Sequence, residues 1–131
     1  MAIHKSGEDY LETILILQKH KGKVKSADVA AYMNYSRPSV CNAVDILQKE
    51  GFLVMDEKKY LFLTEGGLKI AEAMYDRHVF LTQLFQLLGV DDETAEKEGC
   101  AIEHILSEGS YNKLKAFCEP ILSGKVKIQT E

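Results

Sequence analysis

The chain has 131 residues, 46% hydrophobic and 27% charged, enough to bury a core but with room for no more than two small, closely packed units. No apolar run approaches the roughly 18 to 20 residues that span a bilayer, and the start, Met-Ala-Ile-His-Lys-Ser-Gly-Glu-Asp, has no secretory-signal pattern, so a cytoplasmic protein without membrane contact is expected. The net charge of −4 speaks against a uniformly basic nucleic-acid binder, yet residues 1–63 hold nine Lys and Arg against eight Asp and Glu while residues 64–131 hold seven against twelve, so any phosphate-binding surface belongs to the N-terminal half.

In chain order, Ser6 with Asp9 three residues on resembles a capping box, and Tyr10, Leu11, Ile14, Leu15 and Leu17 recur at helical spacing up to Lys21-Gly22, predicting a first helix. Ser26 is placed to cap a short second helix carrying Val29, Ala30 and Met33 and ending near Asn34, which tolerates a left-handed backbone. After the tight connection Asn34-Tyr35, Ser36 caps a third helix with Pro38 in its first turn and Val40, Val44 and Leu47 as its buried stripe, stopped by Gly51. Residues 52–55 and 60–63 flank Asp56-Glu57-Lys58-Lys59 and predict a two-stranded hairpin, a wing.

Thr64 caps a long fourth helix with Leu68, Ala71, Tyr75, His78, Leu81, Phe85 and Leu88 along one stripe ending at Gly89, a composition suited to a dimer core. Asp91 caps a fifth helix reaching about Ser107, and a sixth runs from about Ser110 to Cys118, stopped by Pro120. Gly99 inside the fifth helix costs about 1 kcal/mol relative to Ala and marks close packing against a neighbour. The expected fold is mainly α with a small β-hairpin wing: a winged helix-turn-helix domain over 1–64, an all-helical dimerisation domain over 65–123, and a polar tail over 124–131.

Two constellations carry chemistry. In a helix-turn-helix the N-terminal turn of the second helix enters the major groove. In Ser36-Arg37-Pro38-Ser39-Val40-Cys41-Asn42, Asn42 suits an adenine edge, Pro38 a thymine methyl, and Ser36, Arg37 and Ser39 suit phosphates, with Lys23, Lys25, Lys58 and Lys59 as flanking phosphate partners. Taken singly, the same residues also make a good helix start and a solvated face.

The second constellation is metal-like. Cys100, Glu103 and His104 share one face of the fifth helix, Asp9 and Glu12 one face of the first, and His78 interrupts the apolar stripe of the fourth. If these helices converge, six S, N and O donors surround one cavity suited to Mn²⁺ or Fe²⁺. His78 also fits a hydrogen-bonded core histidine, Cys100 a small buried hydrophobe, and Asp9 and Glu12 a helix-dipole complement. Cys41, Cys100 and Cys118 are odd in number and widely spaced, a pattern of reduced thiols, not of a disulfide framework.

Glu8-Asp9-Tyr10-Leu11-Glu12, Ser36-Arg37-Pro38-Ser39-Val40, Leu63-Thr64-Glu65-Gly66-Gly67, Tyr75-Asp76-Arg77-His78, Leu88-Gly89-Val90-Asp91 and the run from Cys100 to Ser107 together resemble the diphtheria-toxin-repressor family of metal-dependent regulators, which includes the manganese transport regulators. The resemblance implies a winged-helix domain, a helical dimerisation domain and a metal site between them. It implies that Asp9 and Glu12 match manganese-type ligands and that His78, Glu103 and His104 match ligands common to the family. Cys100 matches the iron-type cysteine where manganese-type members have glutamate, so the site is a hybrid. The positions matching the iron-type ancillary glutamate and second histidine are Thr82 and Glu96, which do not reproduce that site, and the chain has no length for an SH3-like third domain.

The function expected from these readings is a metal-dependent transcriptional repressor, not an enzyme. It would bind palindromic operator DNA as a homodimer, control metal-uptake genes and use no small-molecule substrate. Hard oxygen donors favour Mn²⁺, whereas the thiolate shifts preference toward Fe²⁺, Co²⁺, Zn²⁺ or Cd²⁺. The competing readings are a winged-helix sensor of an oxidant or organic ligand through Cys100, a metalloenzyme, and a module for protein contacts.

Overall fold

The structure is a computed structural model and describes residues 5–124. In chain order it holds α1 (Lys5–Lys21), β1 (Val24–Lys25), α2 (Ser26–Met33), α3 (Arg37–Lys49), β2 (Leu53–Met55), β3 (Tyr60–Leu63), α4 (Glu65–Leu87), α5 (Asp92–Ile102) and α6 (Glu108–Leu122). The chain divides into two compact units, Met1–Met74 and Tyr75–Glu131. No described helix is long and apolar enough to cross a membrane.

In the first unit, the predicted periodicity becomes burial: Leu11, Ile14, Val29, Val40, Val44, Leu47, Leu53 and Leu61 form its core. Asn34 closes α2 with φ 58°, and the Ser36 Oγ accepts the Ser39 N–H at 3.3 Å, so the turn between α2 and α3 is fixed at both ends as the sequence predicts. Two caps differ. Ser6 lies inside α1, which is already helical at Lys5. Ser26 is the first residue of α2, not its cap: Lys25 takes the cap position in extended backbone, and the Asp28 carboxylate in the first turn reaches back to accept the Lys25 N–H at 2.8 Å. The same carboxylate accepts the Lys21 ammonium at 2.6 Å, tying the end of α1 to the start of α2.

The wing is a three-stranded antiparallel sheet in the order β1-β3-β2, with Val24 opposite Leu61 and Leu53 opposite Leu63. The expected hairpin is present, and β1 is the addition: two residues are too few to show alternation, but Val24 is wholly buried while Lys25 points to solvent. Thr64 caps α4 as predicted, its Oγ accepting the Gly67 N–H at 3.1 Å while donating to the Gly51 carbonyl at 2.7 Å. Gly67 is required here: a Cβ on it would lie 2.1 Å from the Phe52 carbonyl oxygen.

The second unit packs Phe80, Leu81, Tyr111 and Cys118 into a core bordered by Leu84, Ile102, Leu106, Leu114 and Leu122. Phe80 and Tyr111 meet edge to face at 5.7 Å. Gly99 lets α5 approach α4 closely, since a Cβ would stand 3.1 Å from the Thr82 hydroxyl and 3.3 Å from its backbone nitrogen. Asp91 caps α5 by accepting the Thr94 N–H at 3.0 Å.

Helix ends depart from expectation in this unit. The stripe predicted for α4 is only partly buried: Ala71 and Leu81 are inside, Leu68 is exposed, and Leu88 lies beyond the helix. α5 stops at Ile102, not near Ser107, because Ser107 instead caps α6, accepting the Ser110 N–H at 3.0 Å. α6 continues through Pro120 to Leu122, so the proline, which removes one helical donor, does not end the helix. Of the expected polar tail, residues 125–131 lie outside the described residues.

Candidate functional site

The DNA-reading candidates all lie in the first unit. Ser36, Arg37, Pro38, Ser39 and Asn42 are exposed on the cap and first turns of α3. The Ser36 hydroxyl, besides capping, donates to the Ser39 hydroxyl at 2.8 Å. Val40, Val44 and Leu47 hold the opposite face of α3 in the core, so its polar face is presented outward.

Lys58 and Lys59 are exposed at the tip of the β2–β3 turn, which Asp56 organises by accepting the N–H groups of Lys58 and Tyr60 at 2.9 Å each. Lys59 takes the left-handed conformation, φ 72°. Lys25 pairs with Tyr60 across β1 and β3. Its ammonium lies 4.9 Å from the centre of the Tyr60 ring, and that of Lys23 lies 5.1 Å away, so one aromatic side chain gathers two cations beside the wing. Asp56 and Tyr60 were not distinguished in the sequence, where each reads as an ordinary turn or strand residue.

Asp9 and Glu12 lie one turn apart on α1, Asp9 partly exposed and Glu12 only 4% exposed. A carboxylate this deeply buried must meet hydrogen-bond donors or positive charge. Next to Asp9, Tyr10 packs edge to face on Tyr35 at 6.0 Å, the residue that enters the α3 cap. Burial raises the Tyr10 phenol above its ordinary range, helped by Tyr35 and Asp9.

The remaining metal candidates converge within the second unit. The Glu103 side chain is completely buried; one carboxylate oxygen lies 3.2 Å from His78 Nδ1 and the other 3.2 Å from His104 Nε2. Cys100, Glu103 and His104 each offer a donor atom within 4.8 Å of the others, and His78 and Glu103 meet the same limit. Bonds of about 2.0 to 2.3 Å place two ligands of one ion roughly 3 to 4.5 Å apart, so the thiolate, imidazole and carboxylate donors fit a transition metal ion by both chemistry and spacing. Although α5 ends at Ile102, Glu103 keeps helical dihedrals and its N–H still donates to the Gly99 carbonyl at 3.0 Å, preserving the predicted spacing from Cys100.

One residue of this cluster is not among the sequence candidates. Arg77, beside His78 on α4, is 8% exposed, and its Nη1 donates to two main-chain carbonyls, Glu103 at 2.9 Å and Leu106 at 2.6 Å. Its guanidinium lies 4.9 Å from the centre of the Tyr111 ring, whose phenol burial holds above the ordinary range. The available signal was a charge at helical spacing from the buried Met74 and Leu81.

Residues 3–61 match the N-terminal DNA-binding domain of iron-dependent repressors, and residues 64–122 match the metal-binding and dimerisation domain of the same family. The chain is 34% identical over 109 residues to the HTH-type transcriptional regulator MntR of Lysinibacillus sphaericus (strain C3-41), covering 83% of this chain and 78% of that protein. Among solved structures it resembles the manganese regulator SloR, with a TM-score of 0.74 and 27% identity over 91% of this chain and 55% of that one. It also resembles ScaR with bound Zn²⁺, with a TM-score of 0.70 and 28% identity over 86% of this chain and 53% of that one. The chain thus spans about half the length of those two structures, while its two matched regions are the DNA-binding domain and the metal-binding and dimerisation domain. It belongs to the iron-dependent repressor family, the diphtheria-toxin-repressor type of metal-dependent transcription regulators.

Proposed function

We propose that this protein represses metal-uptake genes by binding palindromic operator DNA as a homodimer when Mn²⁺ or Fe²⁺ is bound. The observation that carries the reading is the buried Glu103 carboxylate shared by His78 and His104 at 3.2 Å each, with the Cys100 thiol beside it. Asp9 and Glu12 are assigned as the further ligands, supported by their common face on α1 and the burial of Glu12. Residues 1–64 would read DNA and residues 65–123 would bind metal and dimerise.

When bound, a divalent cation supplies positive charge to carboxylates that otherwise repel one another. In this assignment Asp9 and Glu12 restrain α1, and α1 carries the helix-turn-helix. Ser36, Arg37, Ser39, Lys25, Lys58 and Lys59 hold phosphates while Asn42 and Pro38 meet base edges. Two such surfaces related by a twofold axis match half-sites about one helical turn apart. Linkage then requires DNA to tighten metal binding by the factor that metal tightens DNA binding, typically about 1 to 3 kcal/mol. SloR is described as a manganese regulator and ScaR has been crystallised with Zn²⁺. In this chain Cys100 places a soft donor among oxygen ligands, which widens the range of acceptable metals.

The test is anaerobic calorimetric titration of metal-free protein with Mn²⁺ and Fe²⁺, followed by DNA retardation with and without metal. The expected result is saturable binding and metal-dependent retardation in the parent, with both lost in a folded Asp9→Ala variant. Metal-dependent DNA binding that survives in Asp9→Ala removes Asp9 from the site, and a parent that binds neither metal refutes the reading.

A further inference from the structure

We infer that Arg77 is a positioning residue for the metal centre, holding the chain segment that carries Glu103 and His104 in register with His78. The inference rests on the ligand assignment above and adds a residue that does not itself coordinate. Between the last residue of α5, Ile102, and the first of α6, Glu108, the chain leaves the regular helix: the Glu103 N–H still reaches the Gly99 carbonyl at 3.0 Å, and beyond it the Ile105 N–H turns back to the Ile102 carbonyl at 3.0 Å. Carbonyls at a helix C-terminus lack intrahelical donors, and when buried they need another partner. Arg77 is that partner for Glu103 at 2.9 Å and Leu106 at 2.6 Å. One guanidinium nitrogen therefore pins both ends of the segment 103–106, and its position is fixed because Arg77 adjoins His78 on the same helix.

Burying a cation is costly unless its charge is met. Arg77 is 8% exposed, and its charge is met by two carbonyl dipoles and by the face of Tyr111 at 4.9 Å. It binds the main chain of Glu103, leaving that residue's carboxylate directed to the histidines at 3.2 Å. Lysine also offers several donors on one nitrogen, but at the end of a more flexible stem and without the guanidinium plane that faces Tyr111, so it replaces the arrangement only in part. Methionine fills similar volume with no donor.

The test compares the parent with Arg77→Met, Arg77→Lys and Glu103→Gln as full-length chains. Mn²⁺ affinity is read by chelator competition and ligand geometry by the electronic absorption of the Co²⁺-loaded protein. Thermal unfolding of the metal-free forms reports the fold. Loss of partners that orient metal ligands typically weakens binding by about 10 to 100-fold. We expect that loss in Arg77→Met, with an altered Co²⁺ spectrum and a cooperative metal-free unfolding transition, and partial recovery of both in Arg77→Lys. If Arg77→Met does not fold, Arg77→Lys decides alone by the same two readouts. A folded Arg77 variant with parental Mn²⁺ affinity and Co²⁺ spectrum overturns the inference while leaving the ligand assignment standing. Parental affinity in Glu103→Gln overturns both.

Discussion

Adjacent glycines at the start of α4 should respond to alanine with opposite signs. At Gly66 a Cβ meets nothing closer than the Phe52 ring at 3.7 Å, an ordinary contact, so Gly66→Ala should stabilise the protein by up to about 1 kcal/mol through helix propensity. At Gly67 the added carbon falls 2.1 Å from the Phe52 carbonyl oxygen. Comfortable C···O approaches begin near about 3.3 Å, so α4 and the β2 approach must separate by roughly 1 Å. The carbonyl cannot simply turn away, because it already accepts the Thr64 N–H at 3.1 Å. Overpacking of this kind costs about 1 to 3 kcal/mol and the strained hydrogen bond about 1 kcal/mol more, against the same propensity gain of about 1 kcal/mol. The expected net destabilisation in Gly67→Ala is about 1 to 3 kcal/mol. Urea unfolding of parent and both variants measures it, and subtracting the Gly66→Ala effect isolates the clash from propensity. Since this contact seats the wing against α4, Gly67→Ala should also weaken operator binding in metal. A Gly67→Ala protein as stable as the Gly66→Ala one would refute the argument.

Three further predictions concern metal choice, base reading and acid stability. Cys100→Glu should raise selectivity for Mn²⁺ over Zn²⁺ and Cd²⁺ by replacing a soft donor with a hard one, measured by competition between the metals; unchanged selectivity would show that Cys100 does not coordinate. Asn42→Ala should leave Mn²⁺ affinity intact and reduce discrimination between operator and random DNA by about 1 to 3 kcal/mol; equal weakening on both DNAs would rule out base contact. The Lys21 ammonium, aided by the Lys25 N–H, holds the Asp28 carboxyl below its ordinary range. Its contribution is therefore full above the unfolded carboxylate pKa and lost as pH falls through the lower folded value. For a partly exposed pair this amounts to about 0.2 to 1 kcal/mol. Urea midpoints between about pH 2 and 6 should fall less steeply toward acid in Asp28→Asn than in the parent.

The sequence determined the features that depend on a few neighbouring residues. Asn34, Ser36, Thr64 and Asp91 mark helix boundaries because capping is a local hydrogen bond, and each does so in the structure. The spacing of Cys100, Glu103 and His104 puts three donors on one helical face independently of any tertiary contact, and the acidic excess beyond residue 63 confines the phosphate-binding candidates to the N-terminal half. Tertiary structure decided what depends on partners distant in the chain. β1 exists because Val24 and Lys25 pair with β3, and two residues carry no period. Ser107 capped α6 and ended α5 early, a competition between two serviceable continuations that local propensity does not rank. The need for glycine at 67 comes from Phe52, and the role of Arg77 from carbonyls more than 25 residues away. A buried charge is legible in sequence as an anomaly on an apolar face, but the groups that make its burial tolerable are chosen only when the chain folds.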